Sequence, residues 1–377
     1  MSDSRNWFKT TPTSRKRNLL GSQRHGISIK INGKLMINFA SNDYLGLATH
    51  TDITQAACNS ISERGLGSGA SRLISGDDPL IHQLEHELAE WKGFESCLLL
   101  GSGMLANLGL LQAVAGRHTH VFSDKLNHAS LVDGVRLSGA QSHRFNHLDI
   151  EQLTTMLKKH PAKQRIIVSD GVFSMDGDCA DLNRLMSLAK ASDALLIIDD
   201  AHGTGTVGAD GRGLTSTTGI AGNARLIEVG TLGKAFGSYG AFILGTSEMI
   251  EGLRQRMRTL IYSTALPAAL PAAGLAALEL IRQGAVVEKL HANLALFREL
   301  TAELPLMPSK TSIQPLLVGP DEDALAMAGK LRELGFFVPA IRPPTVPEGT
   351  ARLRITLSAA HTYEEITQLS KALESLA

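Results

Sequence analysis

Short apolar segments alternate with helical patterns from about residue 51 onward, and this alternation constrains the fold most strongly. The apolar segments lie at 96–100, 119–123, 165–169, 194–199, 225–230 and 240–245, and the helical patterns at 51–64, 78–92, 103–115, 128–138, 149–159 and 181–192. Apolar strands joined by crossover helices predict a mostly parallel sheet covered by helices on both faces. The predicted class is therefore α/β, with ligands outside the carboxyl ends of the strands.

The two ends of the chain differ from this central region. A polar arm comes first, and its segment KLMINFASNDYLGL predicts a short strand followed by a structured loop. Two long helices near 266–283 and 286–303 lead to strands near 313–318, 336–340 and 352–357 and a final helix at 362–376. We expect an N-terminal arm (1–50), a large α/β domain (51–280) and a smaller C-terminal α+β lobe (281–377).

Charge and cysteine content narrow the class of function. Lys plus Arg and Asp plus Glu both number 37, so no global field favours nucleic acid or an acidic membrane. Cys58, Cys97 and Cys179 are far apart, which argues against a disulfide framework or a structural zinc. The N-terminal arm has no apolar secretory segment, although its Ser and Arg content faintly resembles a transit peptide. The apolar run STALPAALPAAGLAALEL contains two prolines and predicts a buried helix, so we expect a cytoplasmic protein.

Two short motifs match known fingerprints without the required context. GTGTVG at 203–208 matches the dinucleotide pattern GxGxxG, but DDAH separates it from its strand and a loop-like segment follows it. HQLEH at 82–86 spells a zinc-protease pattern, but it lies in an amphipathic helix whose apolar stripe is Leu80, Leu84 and Leu88. We therefore expect neither NAD nor a metal ion.

Residues at or after the ends of five strands form the candidate site. They are Ser102, Gly103 and Met104 after SCLLL, His128 after THVFS, Ser174 after RIIVS, Asp199 at the end of ALLIID with His202 after it, and Thr231 and Lys234 after RLIEVG. Lys234 is the one charged residue in VGTLGKAFGSYGAF, a run of mostly small residues. An amine in such a setting needs a partner, a ligand or a covalent bond.

These groups suit pyridoxal 5′-phosphate (PLP). Its aldehyde needs a lysine, its pyridine nitrogen needs a carboxylate, its phosphate needs a helix N-terminus with hydroxyls, and its ring needs a flat group. Lys234, Asp199, the Gly103 turn with Thr231, and His128 can fill these roles. Each also has an ordinary explanation, such as a solvated lysine, a turn aspartate or a helix-capping histidine. Their coincidence at successive strand ends favours the cofactor site.

Nine ordered motifs run from about residue 15 to the end of the chain: SNDYLGL, GSGASRLISG, SGMLAN, DKLNHAS, DGVFSMDGD, DDAHGTG, TLGKAFGSYG, IYSTALP and RPPTVPEGTARLRIT. They resemble those of the α-oxoamine synthases, fold-type I PLP enzymes that condense an amino acid with an acyl thioester. The last two motifs most resemble the members that use L-alanine and a pimeloyl thioester, on acyl-carrier protein or coenzyme A, in biotin synthesis. The alternatives are a glycine-using member, which makes aminoketobutyrate or aminolevulinate, and a catalytically silent regulatory subunit.

The resemblance implies a role for each candidate residue. Cofactor contacts would come from Lys234 (Schiff base and α-proton removal), Asp199 (pyridinium nitrogen), His202 (ring hydroxyl), His128 (stacking), Ser174 (beside the ring), and Gly103, Met104 and Thr231 (phosphate). In a homodimer, Thr264 of IYSTALP would reach the cofactor of the neighbouring subunit. Substrate contacts would come from Arg354 (amino-acid carboxylate), Asn42, Thr345 and an N-terminal arginine, for which Arg17 is preferred over Arg15.

Overall fold

The structure is a computed structural model that describes residues 19–376. Its first three strands, Ser22–His25 (β1), Ser28–Ile31 (β2) and Lys34–Asn38 (β3), form an antiparallel meander. The sequence predicted only the third of these strands. β1 was missed because all four of its residues are exposed, so it carries no apolar pattern.

Seven strands form the central sheet: Ser96–Leu100 (β4), Thr119–Asp124 (β5), Gln141–Phe145 (β6), Gln164–Asp170 (β7), Leu195–Asp199 (β8), Leu226–Thr231 (β9) and Ala241–Gly245 (β10). Their order is β4-β10-β9-β8-β7-β5-β6, and only β10 runs antiparallel to its neighbours. The mostly parallel sheet is therefore confirmed, with each predicted strand correct to within one residue at either end. The edge strand β6 was missed because most of its side chains are polar and exposed.

Helices cover both faces of the sheet, and their bounds are Thr51–Arg64 (α1), Pro79–Lys92 (α2), Gly103–Val114 (α3), Ala129–Ser138 (α4), Ile150–Lys159 (α5), Leu182–Ala191 (α6), Leu214–Thr217 (α7), Ser247–Arg256 (α8), Arg258–Ile261 (α9), Ala269–Arg282 (α10), Ala285–Leu300 (α11), Asp321–Glu333 (α12) and Tyr363–Leu376 (α13). Among residues 19–376, no single helix is long and apolar enough to cross a membrane. The bent pair of α10 and α11 passes that test of length and composition only when its two helices are taken together.

The C-terminal part contains Ile313–Gly319 (β11), Phe336–Phe337 (β12), Ala340–Ile341 (β13) and Ala351–Thr356 (β14). The predicted single strand at 336–340 is wrong: β12 pairs with β3, whereas β13 pairs with β14 in a second sheet. Pro339 lies between the two strands and has no N–H to continue a ladder. Because β1–β3 share a sheet with β12, the arm contacts the C-terminal part, and the proposed unit boundaries at 50 and 280 stay predictions.

A buried ionic network lies beneath the carboxyl end of β8. The side chains of Lys92, Asp200 and Glu228 are fully buried, with Lys92 Nζ 2.5 Å from Glu228 Oε1 and 3.5 Å from Asp200 Oδ2. Lys92 Nζ also donates to Thr204 Oγ1 at 3.3 Å. Burial raises the pKa of Asp200 to about 7, although Lys92 opposes the shift. One ammonium thus faces two carboxyl groups that have no access to water.

We expect Lys92→Met to destabilise the protein by about 3–5 kcal/mol, because it leaves buried carboxyl groups without their cation. The denaturation midpoint in guanidinium chloride measures this change. The double variant Lys92→Met/Glu228→Gln should recover part of the loss, because it removes one of the stranded charges. Lys190→Met on the exposed face of α6 is the control, with a change within about 0.5 kcal/mol. An unchanged midpoint for Lys92→Met would contradict the account of the network.

Candidate active site

Lys234 lies in a tight loop between β9 and β10. Thr231 closes the loop, since its Oγ1 donates to the Gly240 carbonyl oxygen at 3.0 Å. Gly237 has a φ of 62°, and a Cβ at this position would collide with the backbone of Ala48. Only glycine readily adopts this left-handed backbone and also leaves room for the backbone of Ala48. Gly237 therefore allows the loop to pack against the segment after β3.

The pKa of the Lys234 amine is lowered to about 8, first of all by burial. Asp199 and Asp170 oppose this shift, and the guanidinium of Arg354 adds to it. A lysine with this pKa is unprotonated in about a tenth of the molecules at pH 7, far more often than an ordinary lysine. Lys234 can therefore act as a nucleophile or a base.

Asp199 ends β8, and its two carboxylate oxygens are held separately. Asn107 Nδ2 donates to Oδ2 at 2.6 Å, and the Ala201 N–H donates to Oδ1 at 3.0 Å. Asn107 belongs to α3 and also donates to Ser130 Oγ at 2.8 Å, while its buried Oδ1 has no partner among residues 19–376. Sequence reasoning missed Asn107, although it is the last residue of the SGMLAN motif.

Asp170 is the second acidic residue of the site, and sequence reasoning missed it. It ends β7 and lies opposite Asp199 in the register of the two strands. Burial, and next the neighbouring Asp199, raise the pKa of Asp170 well above its ordinary value. Its Oδ1 accepts from the His128 N–H at 3.2 Å, and its own N–H donates to Asn127 Oδ1 at 2.9 Å. A protonated Asp170 leaves the negative charge of the pair on Asp199.

The two predicted histidines occupy different surroundings. His128 caps the N-terminus of α4, and its Nδ1 lies 2.6 Å from Ser130 Oγ. His202 Nδ1 lies 2.5 Å from the hydroxyl of Tyr44, a residue of SNDYLGL that received no role from the sequence. Burial lowers the pKa of His202 well below its ordinary value, and Lys234 lowers it further, so the ring is neutral.

Arg354 of β14 is buried and held from three directions. Its Nε donates to the Ser174 carbonyl oxygen at 2.6 Å, and its other nitrogens donate to Thr356 Oγ1 at 3.0 Å and Asn42 Oδ1 at 3.2 Å. Asn42 Oδ1 also accepts from the Tyr44 hydroxyl at 3.2 Å. The fold thus brings Arg354, Asn42 and the Ser174 carbonyl oxygen together.

A cavity of about 370 Å³ opens beside Lys234, between its loop and the segment after β3. The residues around it are both polar and apolar: Arg24, Ile29, Asn38, Ala40, Ser41, Asn42, Asp43, Ala48, Gly233, Lys234, Gly237, Ser238 and Phe337. Within the described part of the chain, the buried Ser238 Oγ has no hydrogen-bond partner. The cavity can therefore accept a ligand that offers both hydrogen-bonding and apolar groups.

The start of α3 faces open space. Ser102 Oγ accepts from the Leu105 N–H at 3.3 Å, whereas the N–H groups of Gly103 and Met104 belong to a first turn that has no intrahelical acceptor. No atom of the described chain lies within 4 Å of a Cβ placed on Gly103. Such a helix start is suited to a phosphate group. Thr264 is exposed and lines a small cavity that also includes Gly101.

The other two predicted substrate contacts, Thr345 and Arg17, stay predictions. Thr345 is exposed after the cis Pro343–Pro344 peptide, and the contacts found for residues 19–376 do not join it to Lys234 or Arg354. Arg17 and its alternative Arg15 lie outside the described residues.

Comparison with known proteins matches residues 34–373 to the family model "Aminotransferase class I and II". The chain is 48% identical to the 8-amino-7-oxononanoate synthase of Saccharophagus degradans over 353 residues, or 92% of this chain and 89% of the relative. It is 47% identical to the enzyme of the same name from Methylococcus capsulatus over 348 residues, or 92% and 90%.

Solved structures give the same result. Serine palmitoyltransferase from S. paucimobilis, solved with a bound PLP–myriocin aldimine, superimposes with a TM-score of 0.90 at 26% identity, covering 95% of this chain and 91% of the other. The 8-amino-7-oxononanoate synthase of Francisella tularensis superimposes with a TM-score of 0.78 at 31% identity, covering 90% and 96%. The resemblance proposed from the motifs is confirmed: this chain belongs to the class I and II aminotransferase family and, within it, to the 8-amino-7-oxononanoate synthases.

Proposed function

We propose that this protein is a PLP-dependent acyltransferase that condenses L-alanine with a pimeloyl thioester, on acyl-carrier protein or coenzyme A. The products are 8-amino-7-oxononanoate, CO2 and the free thiol, a step of biotin synthesis. The observation that carries the proposal is Lys234, an amine of lowered pKa that interacts with both the Asp199 carboxylate and the Arg354 guanidinium. The name of the curated relatives gives the product, 8-amino-7-oxononanoate, and the resemblance of the motifs implies the two substrates. A glycine-using activity is the alternative.

The residues present fit PLP. The site contains a buried carboxylate, an amine with a lowered pKa, an open helix start, and two buried polar atoms, Asn107 Oδ1 and Ser238 Oγ, without partners among residues 19–376. When bound, PLP supplies an electron sink for negative charge that develops at the substrate α-carbon.

Each group of the chain has a proposed task at the cofactor. Lys234 Nζ would bond its aldehyde carbon, whose oxygen would leave as water. Asp199, fixed by Asn107, would keep a proton on its ring nitrogen. His202, held by Tyr44, would hydrogen-bond the ring hydroxyl. The remaining proposed contacts are His128 over the ring, Ser174 beside it, and Gly103, Met104 and Thr231 around the phosphate.

The proposed substrate contacts centre on Arg354. Its guanidinium binds the carboxylate of the amino acid, and Asn42 and Ser174 hold it in place. A carboxylate fixed there would orient the α-hydrogen toward Lys234. The amine of Lys234, released from the cofactor when the substrate amine takes its place, would accept the proton. Thr345 and Arg17 stay predicted contacts for the substrate.

A homodimer is the proposed assembly, with Thr264 reaching the neighbouring site. The loop at 66–76 is tied to the segment of Thr264, since Ser68 Oγ donates to the Ala265 carbonyl oxygen at 2.6 Å. Large apolar side chains of these two segments are exposed, namely Leu66, Leu73, Ile74 and Tyr262. Clustered exposed apolar groups indicate an interaction surface. The cytoplasmic location stays a prediction.

An assay of CO2 release should identify the substrates. We expect the fastest turnover with L-alanine and a pimeloyl thioester, and slower turnover with glycine. One methyl group in an apolar pocket discriminates by only about 1–3 kcal/mol, so some glycine turnover is expected. Lys234→Ala is the control without the amine and should form no product. Faster turnover of glycine with acetyl or succinyl thioesters would assign the protein to the glycine-using activity.

Replacement of two neighbouring arginines should separate carboxylate binding from packing. Arg354→Lys should lower kcat/KM for alanine by about 10- to 100-fold, because a charged hydrogen-bonding partner contributes about 1.5–3 kcal/mol and lysine lacks the planar fork. Arg352 is the matched control: it is equally buried on β14 but pairs with Asp176. Arg352→Lys should leave kcat/KM for alanine nearly unchanged. Equal losses in both variants would mean that Arg354 has only a structural role.

A further inference from the structure

Three histidines lie together on the central sheet, outside the site around Lys234. His120 is the second residue of β5, His143 is the middle residue of β6, and His160 directly follows α5. All three are partly buried, and one ring nitrogen of each lies within 4.8 Å of the others. No other triad of histidines this close together is found among residues 19–376.

The register of two parallel strands fixes the first two histidines. His143 lies opposite Phe122, and His120 lies two residues before Phe122 on the same strand. Because side chains alternate between the faces of a sheet, His120 and His143 project from the same face. His143 Nε2 and His120 Nδ1 are 3.0 Å apart. The end of α5 then brings the ring of His160 to 4.1 Å from that of His143.

The spacing of the rings is close to that of a tetrahedral metal site. A zinc–nitrogen distance of about 2.0–2.1 Å implies ligand nitrogens roughly 3.3 Å apart and ring centres roughly 5 Å apart. The observed distances between ring centres are 5.0 Å for His120–His143, 4.1 Å for His143–His160 and 6.2 Å for His120–His160. A shift of about an ångström at His160, which lies outside the sheet, brings the three distances to the tetrahedral value.

The charges around these rings also suit a metal. None of the three forms an ion pair with an acidic side chain of residues 19–376. His147 differs: it lies between Asp124 and Asp178, which raise its pKa to about 10 against burial, so both its nitrogens carry protons.

We propose that His120, His143 and His160 bind one divalent transition-metal ion, best matched by Zn²⁺, with water at the fourth position. Neutral imidazole is a preferred ligand of zinc, and three histidines with one open position are a known zinc arrangement. The ion joins the edge strand β6 to β5 and to the end of α5. Because it binds the folded chain, it stabilises this edge in proportion to the logarithm of its concentration over Kd. This site is independent of the proposed catalytic function.

Zinc binding by the full-length, PLP-loaded protein tests the proposal. The protein is first stripped of metal with a chelator, and bound Zn²⁺ is then measured by equilibrium dialysis together with the thermal midpoint. We expect one Zn²⁺ per chain and a midpoint that rises with Zn²⁺. His143→Gln should weaken Zn²⁺ binding at least about ten-fold, because changing a residue that merely contacts a metal ligand already lowers metal affinity by about 10- to 100-fold. It should also abolish the rise in the thermal midpoint. Co²⁺ should give the visible bands of a tetrahedral site in the wild type but not in His143→Gln.

His118→Gln is the matched control, since His118 is exposed and lies two residues from His120 but outside the cluster. It should bind Zn²⁺ like the wild type, and Ca²⁺ should replace Zn²⁺ in neither protein. If His143→Gln does not fold, His160→Gln takes its place, because His160 follows the helix and its loss leaves the sheet intact. Stoichiometric Zn²⁺ binding that survives both substitutions, or no binding by the wild type, would overturn the proposal.

Discussion

Two aspartates lie opposite each other on neighbouring parallel strands, Asp170 on β7 and Asp199 on β8. The arrangement of the candidate site depends on the repulsion between their two carboxylates. Two buried carboxylates this close cannot both be charged at low cost. Asp170 takes the proton, since burial and Asp199 raise its pKa, whereas Asp199 receives hydrogen bonds from Asn107 and the Ala201 N–H. The result is one fixed negative charge that interacts with Lys234.

Asp200, the residue after Asp199, belongs to a different cluster of charges. Asp200 is part of the buried network with Lys92 and Glu228, and its Oδ2 accepts from the Leu214 N–H at 3.0 Å. Consecutive residues at a strand end point in opposite directions, so the pair Asp199–Asp200 joins the proposed cofactor site to a rigid ionic support. The support fixes the end of β8, and with it the position of Asp199.

The sequence placed several strand-end residues at one site for a physical reason, although it missed Asp170 at the end of β7. Parallel strands bring their carboxyl ends to one edge, so Asp199, His202 and Lys234 could be placed together from apolar runs and the residues after them. Asn107 and Tyr44 were missed because they come from a helix and from a distant loop, and neither ends a strand. Their role appears only when α3 and the segment after β3 pack against the sheet.

The histidine cluster could not be predicted for a related reason. His120, His143 and His160 are far apart in the sequence and fit no spacing of metal ligands, and β6 carries no apolar pattern. Only the pairing of β5 with β6 and the path of α5 bring the three rings together. The sequence prediction that no metal binds considered local motifs alone, and the proposed site is instead built by the tertiary fold.

The most direct test of the account is chemical identification of the lysine that bonds the cofactor. The purified protein is incubated with PLP, reduced with borohydride, digested and analysed by mass spectrometry. Lys234 is expected to carry the label, because burial lowers the pKa of its amine to about 8 and so raises its unprotonated fraction above that of an ordinary lysine, and because Asp199 lies within its electrostatic reach. Recovery of the label on another lysine, with Lys234 unmodified, would contradict the central claim.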